Sequence, residues 1–283
     1  MAVSKWLITS AGVNIPPILY GTAWKKERTT KLVLTAFQAG FRGFDTACQP
    51  KHYAEALVGE ALRQLSTQGI KRSDYYLQTK FTPLSGQDPE QVPYDATAPL
   101  AQQVEQSFAA SQKNLQTEYL DGWILHSPLR THEQSMTVWR AMEAIHQAGG
   151  TRQLGISNCY DIDVLKALYA DARVKPAILQ NRFYKETAYD AELRRWCVQQ
   201  GIIYQSFWTL TANPHVLSSN TMLAIAKQYN KSPAQILFCY LGQNGIVPLT
   251  GTSSDRHMQE DLASFEFSLA DDDIKHINKL FVS

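Results

Sequence analysis

Asp45, Lys80 and His126 are an acid, an amine and an imidazole, and each ends a short run rich in apolar residues: Phe41–Phe44, Tyr75–Leu77 and Leu120–Leu125. Ser157, Asn158 and Gln180 hold the same place after two later runs. A carboxylate, an ammonium and an imidazole gathered at one point suit proton chemistry on a carbonyl or an alcohol. Tyr53, eight residues past Asp45, is the candidate acid. A free phenol has a pKa near about 10, and an adjacent ammonium lowers it. Each residue also has a plain structural reading. Asp45 would cap a helix, Lys80 would be solvated, His126 would be satisfied in a core, and Tyr53 would sit on the buried side of a helix start. Their meaning depends on whether the fold brings these strand ends together.

The pattern of elements predicts that it does. Residues 5–16 read as a short hairpin: Trp6–Thr9, a turn at Ala11-Gly12, then Val13–Ile15 before Pro16-Pro17. Strand-like runs then alternate with helical periodicity. The strands are Ile18–Tyr20, the run ending at Asp45, Tyr75–Lys80, Leu120–His126, Gln153–Ile156, Ala177–Asn181, Ile202–Phe207 and Ile246–Leu249. Helices are expected at about 29–39, 55–65, 100–114, 132–147, 162–170, 190–200, from Ser232-Pro233, from Asp255, and at about 271–281. Strands too apolar to be half exposed, in eight such units, predict an α/β fold of the (β/α)8 TIM-barrel type with an N-terminal β-hairpin, as one domain over 1–283. In that fold the C-terminal strand ends converge on one mouth. An open doubly wound sheet is less favoured, because no glycine-rich fingerprint follows a strand. The stretch from Phe81 to Ala98, broken by Pro83, Gly86, Pro89 and Pro93, reads as a long functional or mobile loop.

Composition narrows the partner. The formal net charge is +1, from 27 basic and 26 acidic residues, which offers no field for nucleic acid or anionic lipid. The expected partner is a small molecule. Cys48, Cys159, Cys197 and Cys239 lie far apart, without the spacing of a metal knot or redox dithiol. Three read as reduced core residues, and Cys48 lies close to the Asp45 motif. Residues 1–5 lack the apolar stretch of a signal peptide, and no run of about 18 apolar residues occurs. A cytoplasmic protein is expected, monomeric, without a metal and without membrane attachment.

The ordered set Phe44-Asp45-Thr46-Ala47, Tyr53, Val58-Gly59-Glu60-Ala61-Leu62, Gln78-Thr79-Lys80, Leu125-His126-Ser127-Pro128 and Gly155-Ile156-Ser157-Asn158 resembles the aldo-keto reductases. The similarity runs from about Ile15 to Leu280. The resemblance implies an NADP(H)-dependent reductase of aldehydes or ketones. Tyr53 would be the proton donor, Lys80 would lower its pKa, Asp45 would pair with Lys80, and His126 would orient the carbonyl. Ser157, Asn158 and Gln180 would hold the nicotinamide carboxamide, and Phe207 would stack on the ring. Thr22, Ala23, Asp45, Trp208 and Leu210 would add cofactor contacts, and Asp261 would meet the adenine.

Three stretches depart from the family pattern. The interval from Asp45 to Tyr53 is eight where the family usually has five, and Gln49-Pro50-Lys51-His52 intervenes, so His52 rivals Tyr53 for part of its role. Near Pro248 the family often places a lysine for the 2′-phosphate of NADP, whereas Leu249 and Gly251 stand here. Thr250, Thr252, Ser253 and Ser254 at a helix start, with Arg256 and His257 for charge, make an alternative phosphate cradle. Phe207-Trp208-Thr209-Leu210 replaces the more usual Tyr-Ser-Pro-Leu, and the last helix carries no long extension. A more open substrate pocket is expected, walled by Trp24, Leu129 and the Phe81–Ala98 loop, with Tyr94 reaching in. Two other readings remain: a nucleotide-binding module of the same fold without catalysis, and a barrel aldolase or isomerase using Lys80 as a Schiff-base amine.

Overall fold

The computed structural model describes residues 6–281. Residues 1–5, at the front of the expected hairpin and of the leader reading, lie outside the described residues. So do Val282 and Ser283. A small antiparallel pair, β1 (Leu7–Ile8) and β2 (Asn14–Ile15), is followed by a closed parallel barrel. Its strands are β3 (Leu19–Gly21), β4 (Gly43–Asp45), β5 (Tyr76–Phe81), β6 (Gly122–Leu125), β7 (Leu154–Ser157), β8 (Ile178–Arg182), β9 (Ile203–Phe207) and β10 (Val247–Thr250), with β10 pairing to both β9 and β3. The expected TIM barrel with its N-terminal hairpin is the observed architecture.

Helices α1 (Thr29–Ala39), α2 (Glu55–Thr67), α3 (Leu100–Leu115), α4 (His132–Gln147), α5 (Ile162–Asp171) and α6 (Ala191–Gln200) cover the barrel wall. They are followed by α7 (Pro214–Leu217), α8 (Asn220–Tyr229), α9 (Pro233–Gln243), α10 (Asp255–Ala263) and α11 (Asp271–Asn278). The outward faces of the strands are aromatic and aliphatic because they meet these helices. Trp123 of β6 meets Phe108 of α3 with ring centroids 4.9 Å apart, and Phe44 of β4 stacks on Phe37 of α1 at 6.5 Å. Burying each such side chain contributes roughly 1.5–3 kcal/mol.

The inward faces are polar, which apolar strand runs did not foretell. Thr9 donates to Gln153 Oε1 at 2.6 Å, Gln153 Nε2 donates to the Tyr76 hydroxyl at 3.1 Å, and that hydroxyl donates to Gln78 Oε1 at 2.9 Å. A hydrogen-bonded column thus runs from the hairpin, at the closed end, up the barrel axis towards Asp45. Strand glycines leave room for neighbouring side chains: a Cβ at Gly122 would meet the Tyr76 side chain, and one at Gly155 would meet Ile124 and Ile178. Gly59 of α2 is one helical case: a Cβ there would lie 2.9 Å from the Leu115 Cα and closer still to the Asn114 carbonyl oxygen. Val58-Gly59 is therefore the point where α2 and α3 touch through their backbones.

The Phe81–Ala98 loop is pinned rather than free. Gln87 Nε2 donates to the Cys48 and Thr82 carbonyls at 2.9 and 3.2 Å, and Gln49 Nε2 donates to the Gly86 carbonyl at 2.7 Å. Tyr94 is buried on Phe81, and its hydroxyl donates to the Thr82 carbonyl at 2.8 Å. The loop latches the segment after Asp45 in place, so an aromatic inside it was used for packing. Replacing Gly59 by alanine is expected to lower the stability of the fold by about 1–3 kcal/mol, because the backbone carbonyl at Asn114 cannot yield as a side chain would. A reduced urea midpoint at unchanged slope is the measurement.

Candidate active site

Asp45 ends β4 and Lys80 stands one residue before the end of β5, so the register Asp45↔Gln78 sets the lysine just above the carboxylate. Lys80 Nζ donates to Asp45 Oδ1 at 2.6 Å, to Oδ2 at 2.7 Å and to the Thr46 carbonyl at 2.8 Å. All three ammonium protons are engaged, and both side chains are buried. Asp45 Oδ1 also accepts from Gln78 Nε2 at 2.6 Å and Gln180 Nε2 at 3.0 Å, and both amides bond Gln205 Oε1 at 2.8 Å. Burial pulls the Lys80 ammonium below its usual range, and the Asp45 carboxylate opposes that pull. A lysine so buried and so fully bonded does not present a free amine, which removes the Schiff-base reading.

Tyr53 reaches this pair despite the long interval because the intervening residues fold back. Gln49 N donates to the Ala47 carbonyl at 2.8 Å, and His52 N and Tyr53 N both donate to the Gln49 carbonyl, at 3.2 and 3.1 Å. The extra residues close a turn and leave Tyr53 over Lys80, with Nζ 5.3 Å from its ring centroid. Burial, and the Asp45 charge after it, push the Tyr53 phenol up. Burial thus outweighs the lowering expected from the Lys80 charge that lies against the ring. His126 faces Tyr53, with ring centroids 6.0 Å apart. Its Nδ1 lies 2.6 Å from the Thr82 hydroxyl. Burial, then the charges of Lys80 and His52, hold the imidazole well below its usual range, so it is neutral at neutral pH.

Tyr53 and His126 open into a cavity of about 960 Å³ that extends from them to α10. Of the residues expected at it, Ala23, Trp24, Asp45, Ser157, Asn158, Gln180, Phe207, Trp208, Leu210, Thr250, Thr252, Arg256, His257 and Asp261 line it. Others do not. Thr22 is fully buried and donates through Oγ1 to the Asp45 carbonyl at 2.9 Å, so it fixes the strand end from behind. Ser254 accepts from His257 N as the N-cap of α10, and exposed Ser253 stays outside the lining. Tyr94 is in the loop packing described above, and Leu129 lines a separate depression beside α4. Neither walls this cavity.

Several other lining residues escaped sequence reading, while His52, expected as a rival to Tyr53, is among the lining. Lys25 donates to the Gly251 carbonyl across the cavity, next to the residue expected as pocket wall, Trp24. Gln49 and His52 come in with the folded-back turn, and Trp24 lies on the His52 ring with centroids 3.8 Å apart. Arg182, Pro233, Ala234, Phe238 and Glu260 also lie in the wall. The N-terminal proline of α9 was visible as a cap but carried no sign of a site. Gln205 bonds Gln180 and Thr82 bonds His126, and only contact in three dimensions shows it. Cys48, near the motif in sequence, is buried with its thiol pushed up to about 12, so it is not a nucleophile.

The chain matches the Aldo/keto reductase family over residues 17–281. It belongs to that family and is an oxidoreductase of it. An uncharacterized oxidoreductase, YtbE of Bacillus subtilis, is 30% identical over 272 residues, covering 95% of this chain and 90% of YtbE. The glyoxal reductase of Bacillus subtilis is 29% identical over 251 residues, covering 89% and 83%. Among solved structures, an aldo/keto reductase from Brucella melitensis superposes with a TM-score of 0.83 at 25% identity, covering 99% of both chains. A Bombyx mori aldo-keto reductase complexed with NADPH shares the fold, with a TM-score of 0.82 at 22% identity over 99% of this chain and 88% of that one. No helix among the described residues is long and apolar enough to cross a membrane.

At the far end of the reductase cavity, Thr250 Oγ1 donates to Asp261 Oδ2 at 2.7 Å, and burial pushes the Asp261 carboxyl up to about 6. A carboxyl whose folded pKa is raised binds more protons folded than unfolded. Its contribution is most favourable below the unfolded value of about 4, and is lost as pH rises through about 6. Asp261→Asn keeps an acceptor for Thr250 and carries no charge. Without nucleotide, its melting temperature is expected to exceed that of the parent at pH 7, and the gap should close as pH falls to about 4. The corresponding stability is at most about 3 kcal/mol.

Proposed function

We propose that the chain is an NADP(H)-dependent reductase of aldehydes or ketones, with Tyr53 as proton donor. The observation that carries this is the meeting of the Tyr53 and His126 rings, 6.0 Å apart, above a buried and fully bonded Asp45–Lys80 pair at the floor of one large cavity.

The cavity suits a dinucleotide. At about 960 Å³ it lies at the upper end of the usual range for small-molecule sites, roughly 300–1,000 Å³. Its far wall holds Thr250, Thr252 and the start of α10 with Arg256 and His257, where backbone N–H groups and cations meet phosphate. Lys25 adds a cation on the opposite rim, in place of the lysine missing after Pro248. Ser157, Asn158 and Gln180 would hold the carboxamide, with Phe207 against the nicotinamide ring. Gln180 spends both amide protons, on Asp45 and Gln205, and so offers its carbonyl oxygen. Asn158 Nδ2 donates to the His126 carbonyl at 2.8 Å, which ties the carboxamide position to the histidine. When bound, the reduced cofactor supplies a hydride to the carbonyl carbon.

The chain's own groups handle the oxygen. His126, neutral and with Nδ1 accepting from Thr82, keeps its proton on Nε2 and donates a hydrogen bond to the substrate carbonyl. The Tyr53 phenol, kept protonated by burial, gives its proton to that oxygen as negative charge builds there. Lys80 lies against the ring that then becomes a phenolate, and its charge stabilises that state more than the neutral phenol. Asp45 holds the lysine charged in a place where desolvation would otherwise strip its proton.

Tyr53→Phe is expected to lose turnover of a simple aromatic aldehyde by about 10²–10⁴-fold while NADPH binding, followed by fluorescence, stays unchanged. Full activity in that variant would move the role to His52. With the phenol shifted up and the imidazole shifted down, neither group titrates in the middle of the range. The parent's kcat/KM for reduction is expected to be level from about pH 6 to 8, and a limb centred near about 6.5 would contradict a neutral His126.

A further inference from the structure

Three Lys or Arg side chains line the cavity: Lys25, Arg182 and Arg256. Lys25 is bonded to the Gly251 carbonyl, and Arg256 Nε lies 3.4 Å from Glu260 Oε1. Arg182 differs. Among the described residues no carboxylate lies within salt-bridge distance of its guanidinium, which donates no hydrogen bond, and its buried Nε has no partner. Aromatic rings account for its faces instead. The Trp208 ring centroid is 4.2 Å from Cζ and that of Tyr184 is 5.1 Å away. Stacked rings hold a guanidinium flat and leave its in-plane N–H groups free, the arrangement that meets a planar carboxylate edge-on. A buried donor without an acceptor is rare enough to need a reason, and an absent anionic ligand is one.

Trp208 supports the same reading independently. It has φ 55°, a left-handed conformation that costs a bulky residue of order 1 kcal/mol or more, and it is 50% exposed. Nothing in the core demands an exposed indole on a strained backbone there. What the conformation achieves is to lay the ring over Arg182 at the cavity rim.

The position of Arg182 sets the ligand. It is two residues beyond Gln180 on β8, so it shares that residue's inward face one layer nearer the mouth. Gln180 touches Asp45 at the floor, whereas the cations suited to the dinucleotide phosphates, Lys25 and Arg256, are carried by the segments after β3 and β10. We propose that Arg182 is an anion subsite for the substrate, and that the preferred carbonyl compounds carry a carboxylate a few atoms from the reducible group. This rests on the reductase reading.

The test compares succinic semialdehyde and 4-carboxybenzaldehyde with their methyl esters, as substrates of the parent, Arg182→Gln and Arg182→Lys. The parent should favour each acid over its ester. Arg182→Gln should lower kcat/KM for the acids by about 10–100-fold, the loss of a charge-assisted pair, and leave the esters within about twofold. Arg182→Lys, which keeps charge without the fork, should fall between. NADPH affinity, measured alongside, should not change. An equal loss for acids and esters with weakened NADPH binding would assign Arg182 to the cofactor's phosphates and overturn the proposal. No loss with any substrate would overturn it as well. Were no carbonyl turned over by the parent, the reductase reading would fail, and the subsite would still be read by benzoate titration of tryptophan fluorescence. Quenching in the parent that is absent in Arg182→Gln would uphold the anion site; equal response in both would remove it.

Discussion

A buried ion pair sits where the barrel strands of this protein meet, and much of the interior is arranged to make it tolerable. Taking a carboxylate and an ammonium out of water costs several kcal/mol for each ion, and mutual attraction offsets this only when the remaining bonding capacity is filled. Here it is filled. Lys80 has no spare proton, and Asp45 Oδ1 accepts from a lysine and two glutamines. The glutamines in turn bond Gln205, and the chain of amides and hydroxyls continues through Tyr76 and Gln153 to Thr9 in the hairpin. The polar axis of the barrel and the apolar shell around it are thus two answers to one requirement. A charge held at the mouth needs partners below it, and partners below need a dry sheath that keeps water from competing.

The same arrangement explains the opposed behaviour of the two groups above it. Tyr53 feels burial first, with the Asp45 charge adding to it, and keeps its proton. His126 feels burial first and loses its own. One environment therefore leaves a neutral acid facing a neutral imidazole, a combination suited to an oxygen that starts neutral and becomes negative. Backbone strain gathers at this end as well: Trp24, Asn158 and Trp208 all have positive φ and all line the cavity. Asparagine takes that conformation readily, but a tryptophan does so only where surrounding structure fixes it. The two strained indoles rest on His52 and Arg182.

Much of the architecture was legible because periodicity and caps are local. The helix over 132–147 begins after a Thr131 cap and matches its expected bounds, and the capping box at Ser232 marks α9. Less regular segments were not. Between β8 and α6, Ala188, Tyr189 and Asp190 take left-handed conformations that their residue types do not announce. They are held by packing and by bonds from Asn181 and Tyr204 to Asp190, partners that lie outside the local sequence. The loop after β5 shows the opposite error. Its prolines signalled irregularity correctly, but irregularity did not mean mobility, since Gln87 and Tyr94 tie it to Thr82 and Cys48.

By itself the sequence determined the succession of eight strands and their helices, and with it the convergence of Asp45, Lys80, His126, Ser157, Asn158 and Gln180, because a parallel barrel brings every strand's C-terminal end to one mouth. Only the tertiary structure decided which neighbours those residues have. Gln205 on Gln180, Thr82 on His126, Trp208 on Arg182 and Lys25 on Gly251 are contacts between segments separated by 25 to 226 positions or set at an angle no periodicity encodes. It also decided how the long interval after Asp45 is absorbed, since a turn that folds back and one that projects outward are built from the same residues. The difference lies in the Gln49 side chain finding Gly86, a partner supplied by another loop.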